Sequence, residues 1–196
     1  METIKSLFPD SKLLLLYRCG SKAFGTDNEF SDNDYIAVID NFKGMTYIKE
    51  EESEYFVYDL ETWKKKITFD DSISEYHEVF NFDEILTFDT AVVHADDVVK
   101  PLLEELKKNY LTYYNKWIKR IVDYFDFYIG MGGLNKNFYH LLRFRTIVGN
   151  YKKSGSFSLD LGDRKAHILD YKNGNREPFR KEINEALKYF KKEANR

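Results

Sequence analysis

The sequence has almost no cysteine and no long apolar segment, and each shortage excludes a class of protein. Cys19 is the single cysteine among 196 residues, so no disulfide can form within the chain and a reducing compartment is expected. No apolar run approaches the ~20 residues that a membrane-spanning helix requires. The first residues, METIKSLFPD, lack the apolar core of a secretory signal. These features predict a cytoplasmic protein with no membrane partner.

The chain also lacks the signatures of zinc proteins, P-loop NTPases and serine hydrolases. His77, His94 and His167 have no metal-ligand spacing. No Gly-rich Walker loop and no Ser-His-Asp arrangement is present. Any catalytic chemistry must therefore come from other residue types.

Charged residues are abundant and unevenly distributed. They make up 32% of the chain against 43% hydrophobic residues, which is typical of a soluble globular protein. Residues 1–149 contain 18 Lys and Arg against 26 Asp and Glu, whereas residues 150–196 contain 12 against 7. An acidic body suits metal ions and a basic end suits phosphates, although an ordinary solvated helix surface would explain the same pattern.

Apolar periodicity predicts an α+β first half, to about residue 95, and an all-α second half. Short apolar runs indicate strands at 12–19 and 34–40, and an acidic turn indicates a hairpin over 45–60. Asp59 is a natural N-cap for a helix that starts near residue 60. Apolar residues at helical spacing predict further helices over residues 72–80, 96–111, 113–129, 135–155 and 176–194.

Two aspartates, Asp32 and Asp34, stand one residue apart at the start of the second predicted strand. In extended backbone, residues i and i+2 project to the same side, so these carboxylates would lie close together and repel each other. A divalent cation between them would remove the repulsion, and oxygen ligands suit Mg²⁺ or Mn²⁺. The alternative is that SDND forms only a polar turn, which Asp, Asn and Ser favour.

The first predicted strand ends at Gly20 and Ser21, about ten residues before the aspartates. Glycine permits a close approach to the backbone, serine adds a hydroxyl, and backbone N–H groups in such a turn can hold phosphate oxygens. A triphosphate bridged by Mg²⁺ requires a phosphate-binding turn and metal-binding carboxylates side by side. The two features together therefore favour a nucleotide site.

The stretch GSKAFGT…SDNDYIAV resembles the signature of the DNA polymerase β-type nucleotidyltransferase superfamily. More narrowly, it is similar to a bacterial and phage group of predicted nucleotidyltransferases, some of which are neighbours of RNA ligases. The resemblance implies a polymerase β-like catalytic core with a mixed sheet in residues 1–95. It also implies an α-helical domain in residues 96–196 that closes the nucleotide cleft.

The resemblance extends to a third carboxylate and to a basic helical segment. In that group a third acidic residue opens a strand, which here implies Glu54, while Asp59 at the head of the next helix competes for the role. The segment KNFYHLLRFRTIVGNYKKSG resembles the group's helical Lys…Tyr-His…Arg segment. Lys136, His140 and Arg143 would then form one helical stripe that binds phosphate oxygens, and a solvated helix face is the alternative.

The resemblance implies a pyrophosphate-releasing enzyme that transfers a nucleoside monophosphate from an NTP to an acceptor hydroxyl. Asp32 and Asp34 would bind two Mg²⁺ or Mn²⁺ ions, and Glu54 would help to bind the catalytic one. The phosphate-binding residues of the turn would be Gly20, Ser21 and Lys22. The acceptor expected first is an RNA 3′ end. Two other functions stay open: an enzyme that adds AMP to a protein hydroxyl, and a non-catalytic nucleotide-binding protein with the same fold.

Overall fold

A computed structural model describes residues 2–70, 76–131 and 134–195 of the chain. Helices make up 57% and strands 17% of the structure, and the strands form one mixed sheet, so the predicted α+β class is confirmed. The chain divides into two units, residues 1–113 and 114–196. The more specific prediction of a polymerase β-like core stays a prediction, as does the division of function at residue 95.

The first unit contains the sheet and the helices that flank it. Its strands are β1 (Leu13–Cys19), β2 (Asn33–Ile39), β3 (Met45–Glu50), β4 (Ser53–Asp59) and β5 (Val92–Ala95). Its α-helices are α1 (Glu2–Leu7), α2 (Gly20–Ala23), α3 (Leu60–Ile67), α4 (Asn81–Ala91) and α5 (Lys100–Lys108). Short 3₁₀ turns cover Tyr76–Phe80 and Tyr110–Tyr113.

The sheet has the strand order β3-β4-β2-β1-β5. The β2 and β4 strands are parallel, and each of the other neighbouring pairs is antiparallel. The two strands at 13–19 and 33–39 and the hairpin over 45–59 confirm the predicted strands to within a residue or two. Sequence reasoning missed β5, because four residues after a helix are too few to show an alternating pattern.

Both faces of the sheet are covered, which explains why β1 is almost continuously apolar. One face carries Leu15, Tyr17 and Val38 and packs against α3, α4 and α5. The other carries Leu16, Ala37 and Val57 and packs against Ile4 of α1. We call the first of these the helix-covered face. Because side chains alternate along a strand, Asp34 of β2 and Glu54 of β4 lie on the helix-covered face, beyond its apolar residues.

The start of α3 is fixed by Asp59, as predicted from the sequence. The Asp59 side chain accepts hydrogen bonds from the backbone N–H of Thr62, at 2.8 Å, and from the Thr62 hydroxyl, at 2.6 Å. The helix then buries Trp63 and Ile67 against the sheet. An N-cap of this kind contributes about 1 kcal/mol.

The segment after α3 differs from the prediction of a helix over 72–80. Residues 72–75 lie outside the described residues, and a 3₁₀ turn covers Tyr76–Phe80. The regular helix is α4, which follows directly at Asn81 and buries Phe82, Ile85 and Phe88. Apolar residues at helical spacing are also present in NFDEILTFDTA. The prediction therefore placed the helix one segment too early in the sequence.

A buried polar network joins β1, α3 and α4 under the helix-covered face. Lys66 Nζ lies 3.0 Å from Glu84 Oε2, and their side chains are only 1% and 5% exposed. Tyr17 Oη donates to the same carboxylate at 2.6 Å and accepts from Trp63 Nε1 at 3.1 Å. Lys66 also donates to Asn81 Oδ1 at 2.6 Å. Because both charges are paired and hydrogen-bonded, the cost of burying them is offset.

The second unit is helical. It contains α6 (Tyr114–Gly130), α7 (Phe138–Ser154), α8 (Arg164–Lys172) and α9 (Arg180–Ala194), with a 3₁₀ turn at Glu177–Phe179. Its core is aromatic, with Phe144 in edge-to-face contact with both Trp117 and Phe125. The predicted helices over 113–129, 135–155 and 176–194 are confirmed with small shifts at their ends. Sequence reasoning missed α8, in which few positions are apolar.

The helix α5, which the sequence placed in the second half, belongs to the first unit. It buries Leu103 and Leu106 against the same core as α3 and α4. Within the described ranges, no helix combines the length and the apolar character needed to cross a membrane.

Candidate functional site

The turn that ends β1 lies directly against the aspartate that opens β2. Cys19 and Asp34 are register partners in the antiparallel β1–β2 pair. Gly20 follows with φ of +68°, a conformation that L side chains rarely adopt. A Cβ at this position would lie 1.8 Å from Oδ2 of Asp34. Both the torsion and the contact therefore require glycine at position 20.

The residues after Gly20 stay close to the aspartates. They form the single turn α2, and the Ser21 carbonyl accepts a hydrogen bond from the Thr26 N–H at 2.9 Å. Lys22 Nζ donates to Oδ1 of Asn33 at 3.0 Å, and Asn33 stands between the two aspartates in the sequence. The structure thus brings together Gly20, Ser21 and Lys22 with the start of β2, as the sequence predicted for a nucleotide site.

The register also brings Glu54 beside Asp34. The two are partners in the parallel β2–β4 pair, so their backbones are about 4.8 Å apart and their side chains lie on one face. Asp32 precedes the strand and is exposed, while Asp34 is half-buried.

Glu54 is held by two neighbours from the edge strand β3. Lys49, its register partner, places Nζ 2.6 Å from Glu54 Oε1, and Tyr47 also forms a hydrogen bond with this carboxylate. Partial burial raises the pKa of Glu54, but the hydrogen bonds from Lys49 and Tyr47 outweigh it and hold the pKa below its ordinary value. Glu54 is therefore ionised at neutral pH, with a lysine ammonium beside it.

In the described part of the chain, no group of three or more His, Cys, Asp and Glu side chains is arranged to hold a metal ion. The predicted trio of Asp32, Asp34 and Glu54 has the right donors, since carboxylate oxygens suit Mg²⁺ and Mn²⁺. Of the three, Asp34 and Glu54 are register partners on β2 and β4, and Asp32 lies just before β2. Glu54 is already engaged by the Lys49 ammonium. The donor atoms of these residues suit a divalent cation, and Asp34 and Glu54 are neighbours on paired strands. To bind the ion, Glu54 would have to release Lys49.

Asp59, the competing third carboxylate, lies at the opposite end of β4. Its register partner is Ile39, and five residues along the strand separate it from Glu54, roughly 17 Å. Besides capping α3, it accepts from the Gly44 N–H at 2.5 Å. Burial raises the pKa of Asp59, whereas the hydrogen bonds from Thr62 and Gly44 lower it further than burial raises it. The structure does not bring Asp59 together with the aspartates of β2.

Lys136, His140 and Arg143 do not form the single helical stripe that the sequence predicted. Because α7 begins at Phe138, Lys136 lies in the turn before it and is exposed. Arg143 is completely buried, and its Nη2 lies 3.3 Å from Nδ1 of His140. The alternative of a solvated helix face is therefore wrong for His140 and Arg143, which point into the core of this unit.

Lys172 joins this cluster and was missed by sequence reasoning. It is the last residue of α8, is only 6% exposed, and places Nζ 5.2 Å from the centre of the Tyr139 ring. Burial lowers the pKa of His140 well below its ordinary value, and the charges of Arg143, Lys172 and Lys136 lower it further. A neutral histidine thus stands among three cations. No sequence signal marked Lys172, since lysine is common in the last turn of a helix.

Comparisons with known proteins give no independent assignment. No protein-family model matches the chain, and no curated protein matches it.

Proposed function

We propose that this protein is a metal-dependent nucleotidyltransferase, which transfers a nucleoside monophosphate from an NTP to an acceptor hydroxyl. The observation that carries the proposal is the contact between Gly20 and Asp34. This contact places a turn that contains a glycine directly against a carboxylate at the start of the neighbouring strand. A metal-bound triphosphate needs backbone donors and a carboxylate at one point, and few other functions need this combination.

The phosphates would be held by the turn that follows β1. Backbone N–H groups near Gly20 can donate to phosphate oxygens without steric hindrance from a side chain. The Ser21 hydroxyl would add one donor, and the Lys22 ammonium would add a positive charge beside Asn33. These groups would orient the triphosphate so that the acceptor hydroxyl approaches the α-phosphorus in line with the departing pyrophosphate.

The carboxylates Asp32, Asp34 and Glu54 would hold Mg²⁺ or Mn²⁺, which supplies charge neutralisation for the phosphates when bound. Asp34 is the central ligand of the three, because it lies against Gly20 on one side and beside Glu54 on the other. Before the metal ion binds, Lys49 would hold Glu54 in place, since the lysine ammonium and the metal ion can each neutralise the carboxylate.

The basic cluster of the second unit would by itself favour the binding of a phosphate group to that unit. Lys136, which is exposed, would act as a point charge for the phosphate, while Arg143 and Lys172 are buried behind it and would add positive charge from within the unit. His140, kept neutral by burial and by its cationic neighbours, could donate one hydrogen bond without adding repulsion. The resemblance of KNFYHLLRF to the group's Lys…Tyr-His…Arg segment supports the same role.

The acceptor proposed is an RNA 3′ end. The second unit carries 18 Lys and Arg against 9 Asp and Glu, a formal charge of +9. Such a charge favours a polyanionic partner. A protein hydroxyl is the alternative acceptor within the same chemistry.

A second candidate function is nucleotide binding without turnover. The observation that favours it is the engagement of Glu54 by Lys49 and Tyr47, which already satisfies the third carboxylate. If that arrangement persists when nucleotide is bound, the protein would sense the nucleotide rather than transfer it.

The test is to incubate the protein with α-labelled NTPs, Mg²⁺ or Mn²⁺, and total RNA. Asp34→Asn removes the proposed ligand, and Asp97→Asn removes an exposed aspartate with the same change of charge. Label on RNA, abolished by Asp34→Asn alone, supports the proposal, and label on protein identifies the alternative acceptor. NTP binding without any label transfer would favour the second candidate, and absence of both binding and transfer would refute both.

A further inference from the structure

A polar groove runs between α7 and α9 in the second unit, with a volume of about 440 Å³. The α7 wall contains Arg145, Gly149 and Lys153, which follow one another at four-residue spacing and so share a helix face. The opposite wall contains Tyr189 of α9, and Arg164 of α8 also lines the groove. None of these five residues belongs to the cluster around His140.

Arg145 is held against Tyr189, a residue of the opposite wall. Its guanidinium carbon lies 3.7 Å from the centre of the Tyr189 ring, a stacked cation–π contact. Gly149, one turn later, makes room for it, because a Cβ there would lie 3.1 Å from Arg145 Nη1. Glycine inside a helix is unfavourable. Its presence at position 149 therefore indicates that the space it leaves for the Arg145 guanidinium is useful. A stacked guanidinium keeps its edge N–H groups available to an anion.

The α7 wall carries uncompensated positive charge. Among the residues that the structure describes, neither Arg145 nor Lys153 pairs with a carboxylate. Eight residues separate the two, so their positions are roughly 12 Å apart along the helix. This spacing suits two phosphates of one strand better than a single small anion.

The acidic residues of the groove are neutralised by their own neighbours. Glu182 forms an ion pair with Arg164 and lies 2.8 Å from Nε2 of His167. Glu185 lies 3.9 Å from Lys181, one turn away on α9. The groove therefore has a positive wall on α7, and its opposite wall combines compensated charges with the Tyr189 ring.

We propose that this groove binds the backbone of single-stranded RNA. The choice of RNA rests on the proposed function, in which an RNA end is the acceptor, whereas the binding of a polyanion rests on the groove itself and on the +9 charge of its unit. A duplex does not fit, because duplex nucleic acid receives protein elements into its own grooves and would not enter one of this size.

The test uses the full chain and a 3′-fluorescein-labelled single-stranded 12-mer RNA, with fluorescence anisotropy at several salt concentrations and no NTP or metal. Arg145→Gln and Lys153→Gln each remove one groove charge. Lys188→Gln removes an exposed charge of α9 outside the groove and is the matched control. Thermal unfolding of each variant shows whether it folds.

We expect each groove variant to raise Kd by about fivefold or more and to reduce the slope of log K against log salt by about one, the effect of losing one phosphate contact. The control should change Kd by less than about twofold, because Lys188 does not line the groove and an exposed charge outside the contact is screened by salt. Gly149→Ala should weaken binding by displacing the Arg145 guanidinium, while the unfolding temperature stays at or above that of the parent, because alanine favours a helix.

Equal effects of Arg145→Gln and Lys188→Gln, an unchanged salt slope, or tighter binding of the matching DNA would overturn the proposal. The test distinguishes failure of the groove proposal from failure of the proposed function. If the parent binds RNA through the groove but transfers no nucleotide, the groove proposal holds and the nucleotidyltransferase proposal is refuted. Transfer to RNA with unaltered binding by the groove variants would defeat the groove alone.

Discussion

At the scale of single residues, Gly20 and Gly25 have the same backbone torsion and different surroundings. Both have φ of +68°, but a Cβ at Gly20 would overlap Asp34, whereas a Cβ at Gly25 would meet nothing within 4 Å. Substitutions at the two glycines therefore separate the cost of the torsion, which both share, from the effect of the contact with Asp34, which only Gly20 makes. The same backbone strain is present at both positions.

We predict that Gly25→Ala lowers the free energy of unfolding by about 1–2 kcal/mol, the cost of the left-handed torsion alone. Gly20→Ala should lower it by about 3 kcal/mol, because overpacking is added. Only Gly20→Ala should abolish nucleotide transfer, since it displaces the Asp34 carboxylate. Urea unfolding and the label-transfer assay measure the two effects. Equal activities of the two variants would show that the contact has no functional role.

The ammonium of Lys49 and a divalent cation compete for Glu54 in the proposed site. We predict that Lys49→Gln raises the affinity for Mn²⁺ by roughly two- to fivefold, because an exposed ion pair contributes only weakly and its loss leaves Glu54 available to the ion. Isothermal titration calorimetry measures the affinity, and Lys65→Gln on α3 is the control of equal charge. A lower Mn²⁺ affinity in Lys49→Gln would mean that Glu54 is not a ligand.

His140 makes the stability of the protein depend on pH. Its pKa in the folded state is well below the ordinary 6.5, because of burial and then the charges of Arg143, Lys172 and Lys136. Below pH 6.5 the unfolded chain binds a proton that the folded chain does not, so stability falls as the pH falls. The contribution is fully present above pH 6.5 and decreases by about 1.4 kcal/mol per unit below it, down to the folded pKa.

The prediction is that His140→Gln flattens the loss of unfolding temperature between pH 7 and pH 5.5. The exposed His167 provides the control, because His167→Gln leaves the buried histidine in place. A parent-like slope in His140→Gln would contradict the assignment of this part of the acid sensitivity to His140.

At the scale of elements, α3 and α4 are joined to β1 by the buried pair of Lys66 and Glu84. Breaking such a pair leaves one charge buried without its partner, which costs about 3–5 kcal/mol. We therefore predict that Lys66→Met destabilises the protein by about this amount. The double variant Lys66→Met/Glu84→Gln should be more stable than Lys66→Met, because no ionised carboxylate stays uncompensated. Urea unfolding of both variants measures the coupling, and simple additivity would contradict it.

The hairpin and the parallel pairing of β4 decide which carboxylate can serve the candidate site. Residues 54 and 59 belong to the same strand, yet only Glu54 is paired with Asp34, while Asp59 caps α3 at the other end. The sequence left the two open, because each had a plausible local reason to be acidic. The β2–β4 register, which no local pattern specifies, separates them.

At the scale of the whole molecule, the charge is divided between the two units. Residues 1–113 carry 12 Lys and Arg against 24 Asp and Glu, while residues 114–196 carry a formal charge of +9. The overall charge of -3 conceals this division. An acidic unit that would hold metal ions and a basic unit that would hold polyanions are consistent with the proposed chemistry.

We predict that the protein is retained on heparin at pH 7 and low salt, although its sequence pI is about 5.9. The basic unit should bind the polyanion locally, and salt near 0.5 M should release it, because the Debye length is then only about 4–5 Å. An unrelated protein of similar pI, run alongside, controls for weak retention. Passage through the column in low salt would show that the positive charge is not presented to partners.

The sequence by itself determined the features that depend on a few neighbouring residues. The apolar runs of β1 and β2, the capping of α3 by Asp59 and the helical spacing in α6, α7 and α9 all follow from local backbone preferences and from the burial of one helix or strand face. The juxtaposition of a Gly-Ser turn with Asp32 and Asp34 was also foreseeable, because consecutive strands often pair.

Tertiary structure alone decided the pairing of Glu54 with Asp34, the engagement of Glu54 by Lys49 and the arrival of Lys172 beside Tyr139. It also buried Arg143, which helical spacing placed on a stripe but could not assign to core or solvent. These contacts join residues that are distant in sequence, so strand register and helix packing fix them, and no single segment carries that information.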